Sequence, residues 1–139
     1  MREILFRAKR IDNDEWTYGF YGEVFNLRGE VLPAIRQKND YWRAIIPKSL
    51  SQYTGLKDRN GKKIFEGDIV EFKDKNYSKS LNYRRIVTFG NGCFLLKNIK
   101  TGVHTNFNMY QCEYCVIGNI HDNPELLEDN KNEWNKNTI

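Results

Sequence analysis

Short apolar stretches recur along this chain between polar turns rich in glycine and asparagine, and where apolar and polar residues alternate the period is two. That is the pattern of β-strands, whose successive side chains point to opposite faces. Ile4 to Arg10 reads as a strand, Asp12 to Glu15 as its turn, and Trp16 to Phe25 as the return, with Trp16, Tyr18 and Phe20 sharing a face. Between residues 26 and 40 the pattern supports one weak strand near Val31-Leu32 within loop. Further strands are predicted at Ile64-Phe65, Ile69 to Phe72, Arg85 to Phe89, Cys93 to Lys97 and Tyr114 to Ile120. Gly90-Asn91-Gly92 supplies a hairpin turn, and Lys100-Thr101-Gly102 another before His104 to Phe107. Evenly spaced short strands of this kind suggest a small barrel. Two short helical pieces are predicted. One runs from Pro47 through Tyr53, with proline at the first helical position and Gly55 as its stop, and the other is a single turn at Pro124 to Leu127 with Asn123 as N-cap. Residues 128–139 are polar and Asn-rich, and read as a mobile tail.

The densest punctuation lies between Gln52 and Val70. Asn60-Gly61 suits a two-residue turn with positive φ at both positions, and Glu66-Gly67-Asp68 a second reversal. Asn60, Gly61, Gly67 and Asp68 are therefore read as structural turn residues. The expected core comprises Tyr53, Leu56, Ile64, Phe65, Ile69, Val70, Phe72, Val87, Phe89, Phe94, Val116, Ile117 and Ile120.

The wording of the same region carries a resemblance. Gly55-Leu56-Lys57-Asp58 through Gly67-Asp68-Ile69-Val70, followed by Val116-Ile117-Gly118-Asn119-Ile120-His121-Asp122-Asn123-Pro124-Glu125-Leu126-Leu127, resembles the YopX-like family of bacteriophage and prophage proteins. The opening, Met1 to Arg10 with Trp16 and Tyr18-Gly19, is similar to the family's usual start, so the likeness spans residues 1 to about 127. It implies a mainly β fold with an SH3-like barrel, small size and phage or prophage origin. No catalytic residues are carried over with it. The expected organisation is a single compact β domain over 1–127, with the barrel core in about 51–127 and the N-terminal strands 1–50 packed onto it.

Composition narrows the class. At 139 residues the chain suffices for one sizeable core and is short for two ordinary domains. Its 14% aromatic content argues against wholesale disorder. No apolar run reaches membrane-span length, and Met1-Arg2-Glu3 does not open a signal peptide, so a cytoplasmic location in a bacterial host is expected. Three cysteines, an odd number, then favour reduced thiols over a disulfide framework.

Charge gives the best hint of a partner. From Lys73 to Arg85 five basic residues, Lys73, Lys75, Lys79, Arg84 and Arg85, face Asp74 alone, an excess equal to the whole chain's net +4. Tyr77 and Tyr83 are interleaved. Cations neutralise phosphates and rings stack on bases, which makes single-stranded nucleic acid a physically sensible partner for Lys73, Lys75, Lys79, Tyr83, Arg84 and Arg85. The plainer assignment, a solvated loop, carries more weight. Cys112-Glu113-Tyr114-Cys115 has a zinc-knuckle gap, and Cys93, His104 and His121 could complete the ligands, but the second closely spaced pair is missing and no metal site is assigned. Glu66 and Asp68 flank Gly67 at a turn, where aspartate more often bonds backbone N–H groups than performs catalysis. Asp58-Arg59-Asn60-Gly61 is a turn rather than a calcium loop, since its glycine comes too early. The expectation is a non-enzymatic interaction module, without cofactor, that binds a protein partner or a second copy of itself through exposed strand edges and aromatic surface. The alternative is a nucleic-acid-binding accessory acting through the basic loop.

Overall fold

The computed structural model describes residues 2–73, 82–107 and 113–128. Its regular structure is almost entirely extended: β1 (Phe6–Lys9), β2 (Trp16–Phe25), β3 (Val31–Arg36), β4 (Trp42–Ala44), β5 (Ser51–Lys57), β6 (Lys63–Phe65), β7 (Asp68–Lys73), β8 (Asn82–Gly90), β9 (Cys93–Asn98), β10 (His104–Thr105) and β11 (Cys115–Asn119). These form two antiparallel sheets, ordered β4-β3-β2-β1-β5-β6 and β10-β9-β8-β7-β11. The fold is mainly β, as the alternation and turn chemistry predict. The described strands do not close into the barrel expected from strand spacing: each sheet ends in two terminal strands, β4 and β6 in one and β10 and β11 in the other.

The chain divides into two compact units, Met1–Gly55 and Leu56–Ile139. In the first, β1 pairs with β2 in the register Phe6↔Gly19 to Lys9↔Trp16, and β2 with β3 from Phe20↔Arg36 to Phe25↔Val31. Its core is Ala8, Ile35 and Ile45, with Phe6 and Leu50 packed against them. In the second, β7, β8 and β9 form an antiparallel meander, and β11 returns to the free side of β7. Its core is Ile64, Val70, Val87, Leu96 and Phe107, backed by Phe94, Tyr114 and Val116.

Several expectations are corrected. The segment after Pro47 is a single 3-10 turn, Pro47–Ser49, not a helix through Tyr53. Leu50 is already extended, and the Tyr53 N–H donates to the Leu5 carbonyl at 2.8 Å, so pairing with the first strand outcompetes the helix. Pro124–Leu127 is likewise a 3-10 turn, and Asn123 makes no side-chain cap. Its Oδ1 instead accepts the Asn119 N–H at 3.2 Å. Asn60 does not adopt positive φ; only Gly61 does, at 81°. The turn is the four residues Asp58–Gly61, closed by the Gly61 N–H on the Asp58 carbonyl at 3.0 Å. The two-residue form with positive φ at both positions occurs at Asn91 (51°) and Gly92 (80°), between paired Gly90 and Cys93.

Of the expected core, Tyr53, Ile64, Phe65, Ile69, Val70, Phe72 and Val87 are buried, and Phe94, Val116, Ile117 and Ile120 partly so. Leu56 and Phe89 are exposed. Leu56 is three positions from buried Tyr53 and so takes the opposite face, with Gly55 at φ 88° between them. Phe89 shares the parity of Val87 but lies next to the β8–β9 turn, beyond the packed centre, where it meets only the edge of Phe94 among described rings, at 5.2 Å. Ala8, Ala34, Ile35, Ile45, Leu96 and Phe107 complete the buried apolar set.

Candidate functional site

The basic segment is only partly within the described residues, since Lys75 and Lys79 lie outside them. Lys73 is exposed at the end of β7. Register then separates the two arginines, because Glu71↔Arg84 and Val70↔Arg85 are successive pairs and successive positions face opposite ways. Arg84 Nε donates to Glu71 Oε2 at 3.0 Å. Arg85, 4% exposed, lies over the rings of Phe72 (5.8 Å) and Tyr83 (5.5 Å) and donates to the Arg84 carbonyl at 2.8 Å. Tyr83 is half-buried and stacks on Phe72 at 5.6 Å. Adjacent in sequence, the two arginines do not present one common cationic surface.

The turn residues form hydrogen-bond centres. Asp58, 7% exposed, takes the N–H groups of Asn60 and Lys62 on Oδ1, both at 2.9 Å, and that of Val116 on Oδ2 at 3.0 Å. The Arg59 N–H donates to the Tyr114 carbonyl at 2.9 Å, so the turn is fastened to β11 twice. Burial pushes the Asp58 carboxyl up, but the backbone N–H groups of Val116, Lys62 and Asn60, with the Lys62 charge, together outweigh it and hold the group below its ordinary 3.8. Asp68 is fully buried, and its Oδ2 accepts the Phe65 N–H at 2.8 Å. Gly67 has φ 86°, donates to Val87 O at 2.8 Å and accepts from Ile120 N at 2.9 Å. Asn119 is a further centre, with Oδ1 accepting from His121 N and Asp122 N, both at 2.9 Å.

Cys112 lies outside the described residues, Cys93 is exposed and Cys115 half-buried. Among the described residues no group of three or more His, Cys, Asp or Glu side chains converges as a metal site. A recess of about 440 Å³ in the second unit is lined by Arg59, Glu71, Phe72, Lys73, Asn82, Glu113 and Cys115, a lining of mixed charge. Among the described residues no helix is long and apolar enough to cross a membrane.

The exposed apolar residues are unevenly distributed. Tyr18, Phe20, Tyr21, Phe25, Leu27 and Val31 all belong to the β2–β3 hairpin. On one face the pairs run outward from the buried core as Tyr21↔Ile35, Glu23↔Pro33 and Phe25↔Val31, so that apolar side chains go from 0% exposure at Ile35 to 50% at Val31 and 73% at Phe25, with the exposed Glu23 between them. Leu27 stands fully exposed in a tip where Asn26 Oδ1 takes the N–H groups of Arg28 and Glu30, both at 2.9 Å. The opposite face carries Trp16, Tyr18 and Phe20, as the two-residue period requires. Register adds what periodicity could not supply: Lys9 beside Trp16, and Arg36 between Phe20 and Trp42.

A family model described as YopX protein matches residues 5–128. The chain belongs to the YopX family. Two solved structures are similar to this YopX-family chain. Protein yopX from Bacillus subtilis is 21% identical, with 91% of this chain and 97% of that one covered and a TM-score of 0.55. Protein EF1440 from Enterococcus faecalis is 22% identical, with 91% and 99% covered and a TM-score of 0.48. The Bacillus likeness speaks for the fold. No curated protein matches. The YopX match also covers the hydrogen-bonded centres Asp58, Asp68 and Asn119, each of which accepts from backbone amides of the chain itself.

Proposed function

We propose that this chain is a small, non-enzymatic, phage- or prophage-encoded interaction module that associates with a second copy of itself through the β2–β3 hairpin. The carrying observation is the cluster of exposed apolar side chains at the hairpin tip, Phe25, Val31 and Leu27, with Tyr21 further in, beyond the Glu23–Pro33 pair. Single exposed apolar residues are ordinary on soluble proteins, whereas several clustered on one hairpin tip mark a contact surface. The Asn26-centred tip holds Leu27 outward in a fixed turn, which lowers the entropy lost on docking. Two such faces placed against each other bury the same side chains in both copies, the isologous arrangement of a two-fold dimer. In this reading the five-stranded sheet of the second unit is the SH3-like scaffold expected from the sequence, and the protein works in the bacterial cytoplasm. The alternative of nucleic acid held by Lys73, Lys75, Lys79, Tyr83, Arg84 and Arg85 gains no support from the Arg84–Glu71 pair or the burial of Arg85.

Light scattering after size exclusion tests the proposal. The full chain is expected to run as a dimer at high micromolar concentration, and Phe25→Asp with Leu27→Asp, both changes at exposed positions, to shift it to monomer with an unchanged circular dichroism spectrum. A wild-type chain that stays monomeric throughout that range, or a double variant that still dimerises, would overturn it.

A further inference from the structure

The other face of the same hairpin sheet has a different chemistry. Along β1 to β4 its positions are Arg7 and Lys9, then Trp16, Tyr18, Phe20, Gly22 and Val24, then Leu32, Ala34 and Arg36, then Trp42 and Ala44. Among these described strand positions there is no carboxylate, while three are cationic and four aromatic. Of the three cations only Arg36 is exposed: Arg7 is buried, and Lys9, half-buried, holds its Nζ 3.6 Å from Asp14 in the β1–β2 turn.

The aromatic groups are held open to solvent. Tyr18 is 40%, Phe20 54% and Trp42 38% exposed. The Trp42 indole lies directly over Gly22, where a Cβ would come within 2.4 Å of the ring, so only glycine lets the ring settle flat on the sheet. Arg36 is exposed, with its guanidinium 5.2 Å from the Trp42 ring centroid, and it pairs across the sheet with Phe20 on its other side. A cation between two exposed rings, on strand positions without carboxylates, complements a polyanion that also carries planar groups. Duplex bases are stacked away from such rings; unpaired bases can lie on them.

We propose that this face binds single-stranded nucleic acid, with bases stacked on Phe20, Tyr18 and Trp42 and the backbone phosphates met by Arg36 between the rings. The surface lies on the opposite face of the hairpin sheet from Tyr21, Phe25 and Val31, its residues are other than those of the basic segment 73–85, and the proposal does not depend on self-association.

The test is fluorescence anisotropy of labelled oligo-dT and oligo-U with the full chain across a salt series. Binding is expected at low salt, with log affinity falling linearly against log salt concentration. Phe20→Ala with Arg36→Ala should weaken it by about tenfold or more, and Arg36→Ala alone should reduce the salt slope by about one. A duplex of the same length should bind more weakly than the single strand. Absence of binding at low salt, equal affinity for duplex, or a loss produced by Lys73→Ala in place of the Phe20 and Arg36 changes would each overturn the proposal. If the double variant melts early, Arg36→Glu decides on its own, because reversing an exposed charge on this face must abolish low-salt binding and unchanged affinity refutes the site.

Discussion

Replacing Asp58 by alanine is expected to lower the unfolding free energy by about 3 kcal/mol, since three backbone N–H groups lose a buried charged acceptor and each such loss costs about 1–3 kcal/mol before water partly compensates. The three donors belong to Asn60, Lys62 and Val116, so the damage reaches both the β5–β6 turn and β11. Urea denaturation followed by far-ultraviolet circular dichroism reads the loss directly; a midpoint equal to wild type would show that the turn holds without its carboxylate. Asp58→Asn keeps one acceptor oxygen but turns an amide donor toward a neighbouring N–H, and should fall between the two. The carboxylate also makes stability depend on pH. Its folded-state pKa lies below the ordinary 3.8, so its contribution is fully present above that value and disappears as pH falls through the lower folded-state pKa. Wild type and Asp58→Asn should therefore converge in acid, draw apart as the pH rises toward about 4, and keep a constant difference above it.

Gly67→Val is expected to cost about 2–4 kcal/mol, because a β-branched residue is strained at positive φ and the backbone here cannot relax cheaply. Gly67 sits at φ 86° with both its N–H and its carbonyl engaged, to Val87 and Ile120. A first Cβ would meet Ile120 at an ordinary 3.6 Å, so the cost of alanine comes from the backbone angle, and valine adds crowding to it. Gly67→Asn should be the mildest replacement, as asparagine tolerates the left-handed region best among residues with a side chain. Thermal melts of the three variants should rank Asn, Ala, Val from highest to lowest. A valine variant that melts with wild type would remove the structural role assigned to this glycine.

The contrast between two Asn-Gly pairs shows what the sequence made legible and what it hid. At Asn91-Gly92 the dipeptide takes positive φ at both positions, as local chemistry alone predicts. At Asn60-Gly61 the same letters make a longer turn, because Asp58 two residues earlier collects N–H groups from inside the turn and from β11. The decisive partner, Val116, is distant in sequence, and no local rule contains it. Pro47 tells a similar story: the first-position signal gave one turn, and pairing between Tyr53 and Leu5 then imposed a strand. The Trp16, Tyr18 and Phe20 face was readable from period two. That Arg36 and Trp42 join it was not, since β4 carries only three residues, too few for their alternation to announce a strand. Likewise the neighbouring Arg84 and Arg85 look like one patch in the sequence until strand pairing sends them to opposite sides.

The link from Asp58 to Val116 spans 58 positions, and β11 supplies the outer neighbour of β7. During synthesis the first unit has its own core, Ala8, Ile35 and Ile45, in hand once its last strand has left the ribosome. The second must wait, with one flank of β7 and the Asp58 Oδ2 site for Val116 unfilled, until nearly all of the described chain has emerged. Nascent chains stalled before residue 116 are thus the stage at which this protein is most open to proteases and to wrong strand partners.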